Sequence, residues 1–341
     1  MGIQIRNPGI FTTVQDLGRF GYQAYGVSPA GVLDCRSAAL ANILAGNSEN
    51  EGVLEITLGG AQLLFDQDNV VAVCGAPMPM MLDNSPVSPC QAFTVRAGQT
   101  LSFQYTTKGM RAYIAFAGGL EIPLIMGSRS THVKSGLGGY RGRALCAGDA
   151  IEFRRPQTRL KNQPFRSLPP DLFPTAGETV DIRVLLGPQD DHFTARGITT
   201  LFDTCYEISS DSDRMGYRLT GDPIEHNGMG EIITDGVTFG SIQVPPSGLP
   251  IIMMADRQTT GGYAKIATVI TADLPRLAQC RPGTRIHFIN TTIEQAQQLL
   301  LESKQKFFTL KAQLEEGDGR SYCVQINGQA YLVGVLPVTP V

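Results

Sequence analysis

The sequence predicts a mainly β chain made of two β-rich domains with a few short helices, closed by a C-terminal helix plus β-hairpin. Three observations carry this. Glycine and proline are abundant (38 and 21 of 341 residues), tryptophan is absent, and long helical periodicity is scarce. One turn-to-strand pattern recurs as RAGQTLSF (96–103), CAGDAIEF (146–153) and RPGTRIHF (281–288), each with a glycine five residues before a phenylalanine. A segment carrying five prolines, 154–178, separates the two stretches of strand-like pattern. The expected organisation is a first domain over 1–160, a Pro-rich linker over 161–178, a second domain over 179–290 and an appendage over 291–341.

Taken in order, Ile3-Gln4-Ile5 and Ile10 to Val14 read as strands around an Asn7-Pro8-Gly9 turn. A glycine-punctuated loop over 13–31 carries Gln15, Asp16, Arg19, Tyr22 and Tyr25. Asp34 is placed to cap a helix running to about Ala45, with Leu40, Ile43 and Leu44 on one face. Short strands follow at 53–58, 62–66, 70–74 and 91–95. The second domain opens with a strand from Val180 to Leu186, and Asp190 or Asp191 is expected to cap a helix through Phe202. Asp273 is expected to cap the short helix around LPRLAQ. Thr292-Ile-Glu-Gln295 fits a capping box opening a helix to about Leu314, and YCVQI, Asn327-Gly328 and QAYLVGV form a hairpin signal.

Candidate chemistry concentrates at 241–273. Ser241 to Val244 and Pro250 to Ala255 read as strands, after which Asp256, Arg257, Gln258, Thr259 and Thr260 follow without a break, ahead of Gly261, Gly262 and Tyr263. A buried strand delivering an acid, a base, an amide and two hydroxyls to a Gly-Gly bend is a way to line a pocket. Lys265 returns a positive charge nearby. The same residues also fit a capped strand end with an Asp256–Arg257 surface pair. A second Gly-Gly-Tyr at 138–140 also follows a Ser-Thr pair, which reads as a weak internal duplication.

The net charge of −3 gives no electrostatic footprint for nucleic acid or an anionic membrane. Seven scattered cysteines without C-x-x-C and four isolated histidines offer no disulfide framework and no metal-ligand spacing, so no metal site is expected. No apolar run approaches the roughly 20 residues of a membrane span. The expected compartment is reducing and cytoplasmic. Neither a P-loop, a dinucleotide fingerprint nor a G-x-S-x-G elbow is present. The remaining chemistry is recognition of a small polar amide, such as a lactam, urea or carboxylated amide.

TTVQDLGRFGYQAYGVSPAGVLD (12–34), YIAFAGGLEIPLIMGSRST (113–131), LGGYRGRALCAGD (137–149), SDRMGYRL (212–219) and the run from 240 to 283 together resemble the carboxyltransferase-like family that holds the C subunit of 5-oxoprolinase. That family includes the KipI antagonist KipA and the second carboxyltransferase half of urea amidolyase. The resemblance covers residues 3–290. It implies two cyclophilin-like β-barrel domains. It also implies two partners, the KipI-like B subunit of 5-oxoprolinase and its A subunit, with ATP (and Mg) consumed by the assembly. The implied reaction is hydrolysis of 5-oxo-L-proline to L-glutamate. Two other readings stay open: biotin-dependent carboxyl transfer to urea or a related amide, and a non-catalytic KipI-binding role. The residues selected as catalytic are Asp256, Lys265 and Arg257. Gln243, Thr259, Thr260, Gly261, Gly262, Tyr263, Asp213, Arg214 and Arg218 are selected for substrate binding. Gln15, Asp16, Arg19, Arg129, Ser130 and Thr131 match the family's first-domain signatures as a partner-facing or structural loop.

Overall fold

The structure, a computed structural model, describes every residue except 1, 162, 164–165, 169–171, 173–176, 317–319, 327–328 and 336–341. The first half is built from two antiparallel sheets. One runs in the order Ala150–Glu152, Gly2–Pro8, Ala61–Phe65, Thr100–Phe103, Met80–Leu82, Ser85–Val87. The other runs Phe11–Gln15, Val53–Thr57, Arg111–Phe116, Asn69–Gly75, Ala92–Val95.

Period-2 alternation explains how these sheets pack. Ile3, Ile5, Leu63, Phe65, Ile56, Val71, Val73, Ile114 and Phe116 share one core. The other face of the second sheet supplies Val53, Ala72, Cys74, Tyr113 and Ala115, which pack under the helix Cys35–Leu44. Asn69–Gly75 is therefore buried on both faces, and the helix is buried on nearly every residue. Asp34 caps it as expected, accepting from the Ser37 amide at 2.9 Å. Asn42 is buried and donates to the carbonyl of Glu51 at 2.8 Å.

The second half is a closed seven-stranded barrel. Its order is Thr179–Leu186, Lys265–Val269, Ser241–Gln243, Ile251–Met253, Gly216–Thr220, Cys205–Ile208, Arg285–Asn290. The barrel closes through a parallel pairing of Thr179 with Arg285 onward. Val180, Ile182, Val184, Tyr206, Tyr217, Ile242, Ile252, Ile266, Ile286 and Phe288 fill it. All three recurring turns place their glycine at positive φ, with Gly98, Gly148 and Gly283 at 89°, 89° and 86°. An added side chain there is strained even though space is open.

Several local expectations change. Asp190–His192 forms a 3-10 turn, and Thr194 caps the helix Ala195–Asp203, because its hydroxyl reaches the Gly197 amide at 3.0 Å. Asp273 does not cap the helix Leu274–Ala278; Arg183 binds its carboxylate from a neighbouring strand instead. Gly261 and Gly262 lie in the strand Thr260–Tyr263, paired with Glu231–Gly236 as a two-stranded arm, and not in a bend. Gly138 and Gly139, by contrast, sit in a turn at φ 68° and 56°, so the two Gly-Gly-Tyr sequences are not conformational equivalents. The Pro-rich segment is no free tether where it is described: Ser167 bridges to Gln91, and Arg166 donates to the carbonyl of Ile43 at 2.7 Å. The capping box forms, with Thr292 and Gln295 bonding reciprocally at the start of the helix Ile293–Glu316. That helix docks on the first half through buried Leu314 and a 2.9 Å Lys311–Glu49 ion pair. The strands Arg320–Ile326 and Gln329–Val335 pair antiparallel, and the Asn327-Gly328 turn lies outside the described residues.

The two halves are joined by buried polar side chains. Glu55, in the middle of a first-half strand, binds Arg214 of the barrel directly and lies 3.9 Å from Nε of Arg111. Arg214 also holds both oxygens of Asp256 at 3.0 Å. Arg111 donates to the Tyr217 hydroxyl and the Ala278 carbonyl, each at 2.6 Å. Gln279 accepts from the amides of Met110 and Arg111 and donates to Asp34. Leu33 inserts from the first half into the barrel's core cluster. Burial alone would lower the Arg214 pKa, but Asp256 and Glu55 outweigh it and the guanidinium is held more firmly protonated than usual. Removing one partner of such a set leaves buried charges uncompensated. Arg214→Met is expected to lower folding stability by about 3–5 kcal/mol, read as a fall in urea midpoint.

Candidate functional site

One cavity, of about 510 Å³, opens on the barrel wall. Strand Gly216–Thr220 contributes Arg218, strand Ser241–Gln243 contributes Gln243, and the segment after Ile251–Met253 contributes Gln258 and Tyr263. The turn before Gly216 adds Asp213 and Met215. Asp213 shapes that turn by accepting from the amides of Met215 and Gly216 at 2.7 and 3.1 Å. Leu219, Leu249, Ile251 and Met253 add apolar lining beside these polar groups, a mixture that suits a small polar molecule.

Gln243 and Gln258 form an amide pair: Nε2 of Gln258 donates to Oε1 of Gln243 at 3.4 Å, and Nε2 of Gln243 donates to the Tyr263 carbonyl at 3.3 Å. Gly261 makes room for this pair, since a Cβ there would come within 2.5 Å of Nε2 of Gln243. The glycine serves close packing within a strand. Oε1 of Gln258 is buried with no hydrogen-bond partner. Arg218 is exposed at the rim, and among the described residues its guanidinium enters no ion pair or side-chain hydrogen bond.

The cavity therefore gathers Gln243, Tyr263, Asp213 and Arg218 from the residues selected in the sequence. The others lie elsewhere. Asp256 faces Arg214 at the junction of the halves, and its carbonyl meets Nε2 of His132 from the first half at 3.4 Å. Lys265 is buried, with Nζ 2.6 Å from Asp235 and 3.1 Å from the Gly236 carbonyl, so it ties the two-stranded arm to the barrel. Thr259 accepts from the Val237 amide through its carbonyl, and Thr260 and Gly262 belong to the arm's strand. Arg257 is only 6% exposed and donates to the carbonyls of Val237 and Met254. No carboxylate pairs with it among the described residues, and burial pulls its pKa down to about 10. The Asp256–Arg257 surface pair does not form; each has a separate environment.

In the first half, the signature residues make a rigid loop junction. Asp16 accepts from Ser128, Ser130 and the Arg129 amide at 2.6, 2.5 and 2.6 Å. Fully buried Arg19 donates to the carbonyls of Ile125 and Ser130, Gln15 donates to the Thr131 carbonyl, and Arg129 donates to the Ile122 carbonyl.

Gln258 and the junction residues Glu55, Arg111, Asp34 and Gln279 were not selected from sequence. Gln258 stood inside the polar run after Met253. Glu55 is the one charged residue on the buried strand Val53–Thr57, flanked by Leu54 and Ile56, which is the signal that a buried partner exists.

Comparison with known proteins adds four findings. A protein-family model described as carboxyltransferase domain, subdomain A and B, matches residues 25–290. The chain is 38% identical over 295 residues to the C subunit of 5-oxoprolinase from Escherichia coli K12, covering 86% of this chain and 93% of that protein. It is 39% identical over 292 residues to the corresponding C subunit from Haemophilus influenzae, covering 84% and 90%. It also superposes on the crystal structure of Kluyveromyces lactis urea carboxylase with a TM-score of 0.83 at 30% identity, covering 91% of this chain and 29% of that longer one.

Arg257 has no counter-charge among the described residues, but it bonds the Val237 and Met254 carbonyls and lies 5.8 Å from the Phe239 ring centroid, so it braces this wall. Arg257→Met is expected to lower folding stability by about 1–3 kcal/mol, read as a fall in the thermal midpoint by calorimetry.

Proposed function

Because the chain belongs to the carboxyltransferase family of subdomains A and B, we propose that it is the C subunit of a cytoplasmic, ATP-dependent 5-oxoprolinase. In this reading it acts with a KipI-like B subunit to activate 5-oxo-L-proline, and the A subunit completes ring opening to L-glutamate. The observation that supports this most is the near end-to-end match to two stand-alone C subunits of 5-oxoprolinase, against a match to only one part of urea carboxylase.

The cavity suits a lactam bearing a carboxylate. Arg218 offers an unpaired guanidinium for the carboxylate, which a bidentate contact would orient. The Gln243–Gln258 pair offers an amide donor and acceptor complementary to the lactam's own C=O and N–H. Tyr263 adds a partly exposed ring and hydroxyl at the rim. Arg257, adjacent to Gln258 in sequence, acts in this reading as a positioning residue that braces the wall through the Val237 and Met254 carbonyls. Asp256 and Lys265 act here as positioning residues, the first through Arg214 and the second through the arm. The first-half set from Gln15 to Thr131 holds the loop that carries His132 against Asp256.

The likeness to urea carboxylase keeps biotin-dependent carboxyl transfer as a second reading, with a separate carrier protein supplying biotin. Urea carries no carboxylate, so Arg218 separates the two. A non-catalytic, KipI-binding role predicts association without turnover.

The test mixes this chain with its A and B partners and omits each in turn. Phosphate and glutamate released from 5-oxo-L-proline only by the full set is the expected result. Arg218→Ala is expected to raise KM for 5-oxo-L-proline about tenfold or more with a smaller change in kcat. Binding to the KipI-like partner with no turnover would sink the enzymatic reading. Turnover of urea with biotin carrier, unaffected by Arg218→Ala, would favour the second.

A further inference from the structure

A second cleft, of about 710 Å³, lies between the halves and takes no part in the function proposed above. The first half contributes the loop Thr107-Lys108-Gly109, and the barrel contributes Glu178, Thr179, Glu207, Gln279 and the turn from Arg281 to Arg285. This turn is the third copy of the recurring pattern. Its sequence, Arg-Pro-Gly-Thr-Arg, puts an arginine on each side of the glycine, whereas the copy at 146–153 has no cation in that stretch.

Lys108, Arg281 and Arg285 are exposed around the cleft. Among the described residues none of their side chains forms an ion pair or hydrogen bond. Arg285 pairs directly with Glu207 across the strands, yet their side chains do not engage. The backbone holds the arginines in place: the Arg281 amide donates to the Thr284 hydroxyl at 3.2 Å, and the Arg285 amide donates to the Glu178 carbonyl at 2.8 Å. Gln279, already satisfied by the first half, forms the polar floor. Glu178 and Glu207 line the same cleft, so three cations face two carboxylates.

We infer that this cleft binds the phosphate group of a small phosphate-bearing molecule. Charge-assisted bonds from two guanidiniums and an ammonium suit a dianion with several acceptor oxygens better than a single carboxylate. The volume admits a group larger than free phosphate. A ligand bridging Lys108 with Arg281 and Arg285 would touch both halves and so favour their docked arrangement. This inference does not rest on the oxoprolinase reading, since it is tested on the isolated chain.

The experiment is calorimetric titration of the full chain with inorganic phosphate, pyrophosphate, ATP and L-glutamate, repeated on Arg281→Ala/Arg285→Ala and on Lys108→Ala. Saturable binding of a phosphate-bearing probe, weakened about tenfold or more in either variant and falling with added salt, is expected. Equal affinity for phosphate and ATP would assign the site to the phosphoryl group alone, and tighter ATP binding would assign it to a nucleotide. Both outcomes support the inference. No binding of any phosphate-bearing probe, binding of L-glutamate only, or affinity unchanged in both variants would overturn it. Arg218→Ala, on the other cavity, serves as the control that leaves phosphate binding intact.

Discussion

Glu55 fixes how the two halves meet. It is a carboxylate in the middle of a buried strand, 1% exposed, and such a group is tolerable only when cations reach it. Arg214 reaches it from the barrel, and Arg111 lies 3.9 Å away on the adjacent first-half strand. Arg214 then commits Asp256, and Arg111 commits Tyr217 and the Ala278 carbonyl. The arrangement costs much to desolvate, so its gain lies in geometry: only one relative placement of the halves satisfies every member. The barrel wall carrying the amide cavity and the cleft around Arg281 are both held by that placement.

The amide cavity shows how local and long-range constraints divide the work. Strand pairing sets Gln243 beside the Gly261–Tyr263 strand, and glycine at 261 lets the two backbones approach with an amide side chain between them. The arm anchor, from buried Lys265 to exposed Asp235, ties the Glu231–Gly236 strand to that wall. Asp235 has its pKa lowered, chiefly by the bond from Lys265, so the stabilisation from this anchor is fully present above the ordinary carboxylate range and is lost as pH falls through the lowered value beneath it. None of these residues is positioned by its immediate neighbours alone.

Much of the fold was legible because it rests on local rules. Alternation located the strands of both halves, positive-φ glycines marked the three recurring turns, and Thr292 with Gln295 announced the last long helix. Reading failed where a side chain had two possible partners. Asp273 stood in an N-cap position, but Arg183 reaches it from another strand. Asp256 and Arg257 are adjacent in sequence, yet they sit in a turn closed by the Arg257 amide on the Met254 carbonyl, and their side chains enter different surroundings. Gly-Gly suggested a bend because glycine permits one, whereas here its small size is what the sheet uses. Of the site, the polar run after Met253 was visible, and Gln258 within it gained weight only when Gln243 appeared across the strands.

The most direct measurement of the central claim, that the lactam occupies the barrel-wall cavity, is hydrogen–deuterium exchange on the fully assembled enzyme with and without 5-oxo-L-proline. The account predicts slowed exchange in two segments of this chain, 209–220 and 241–263, with the first-half loop around Asp16 unchanged. Protection confined to the partner proteins, or to the first half, would contradict it.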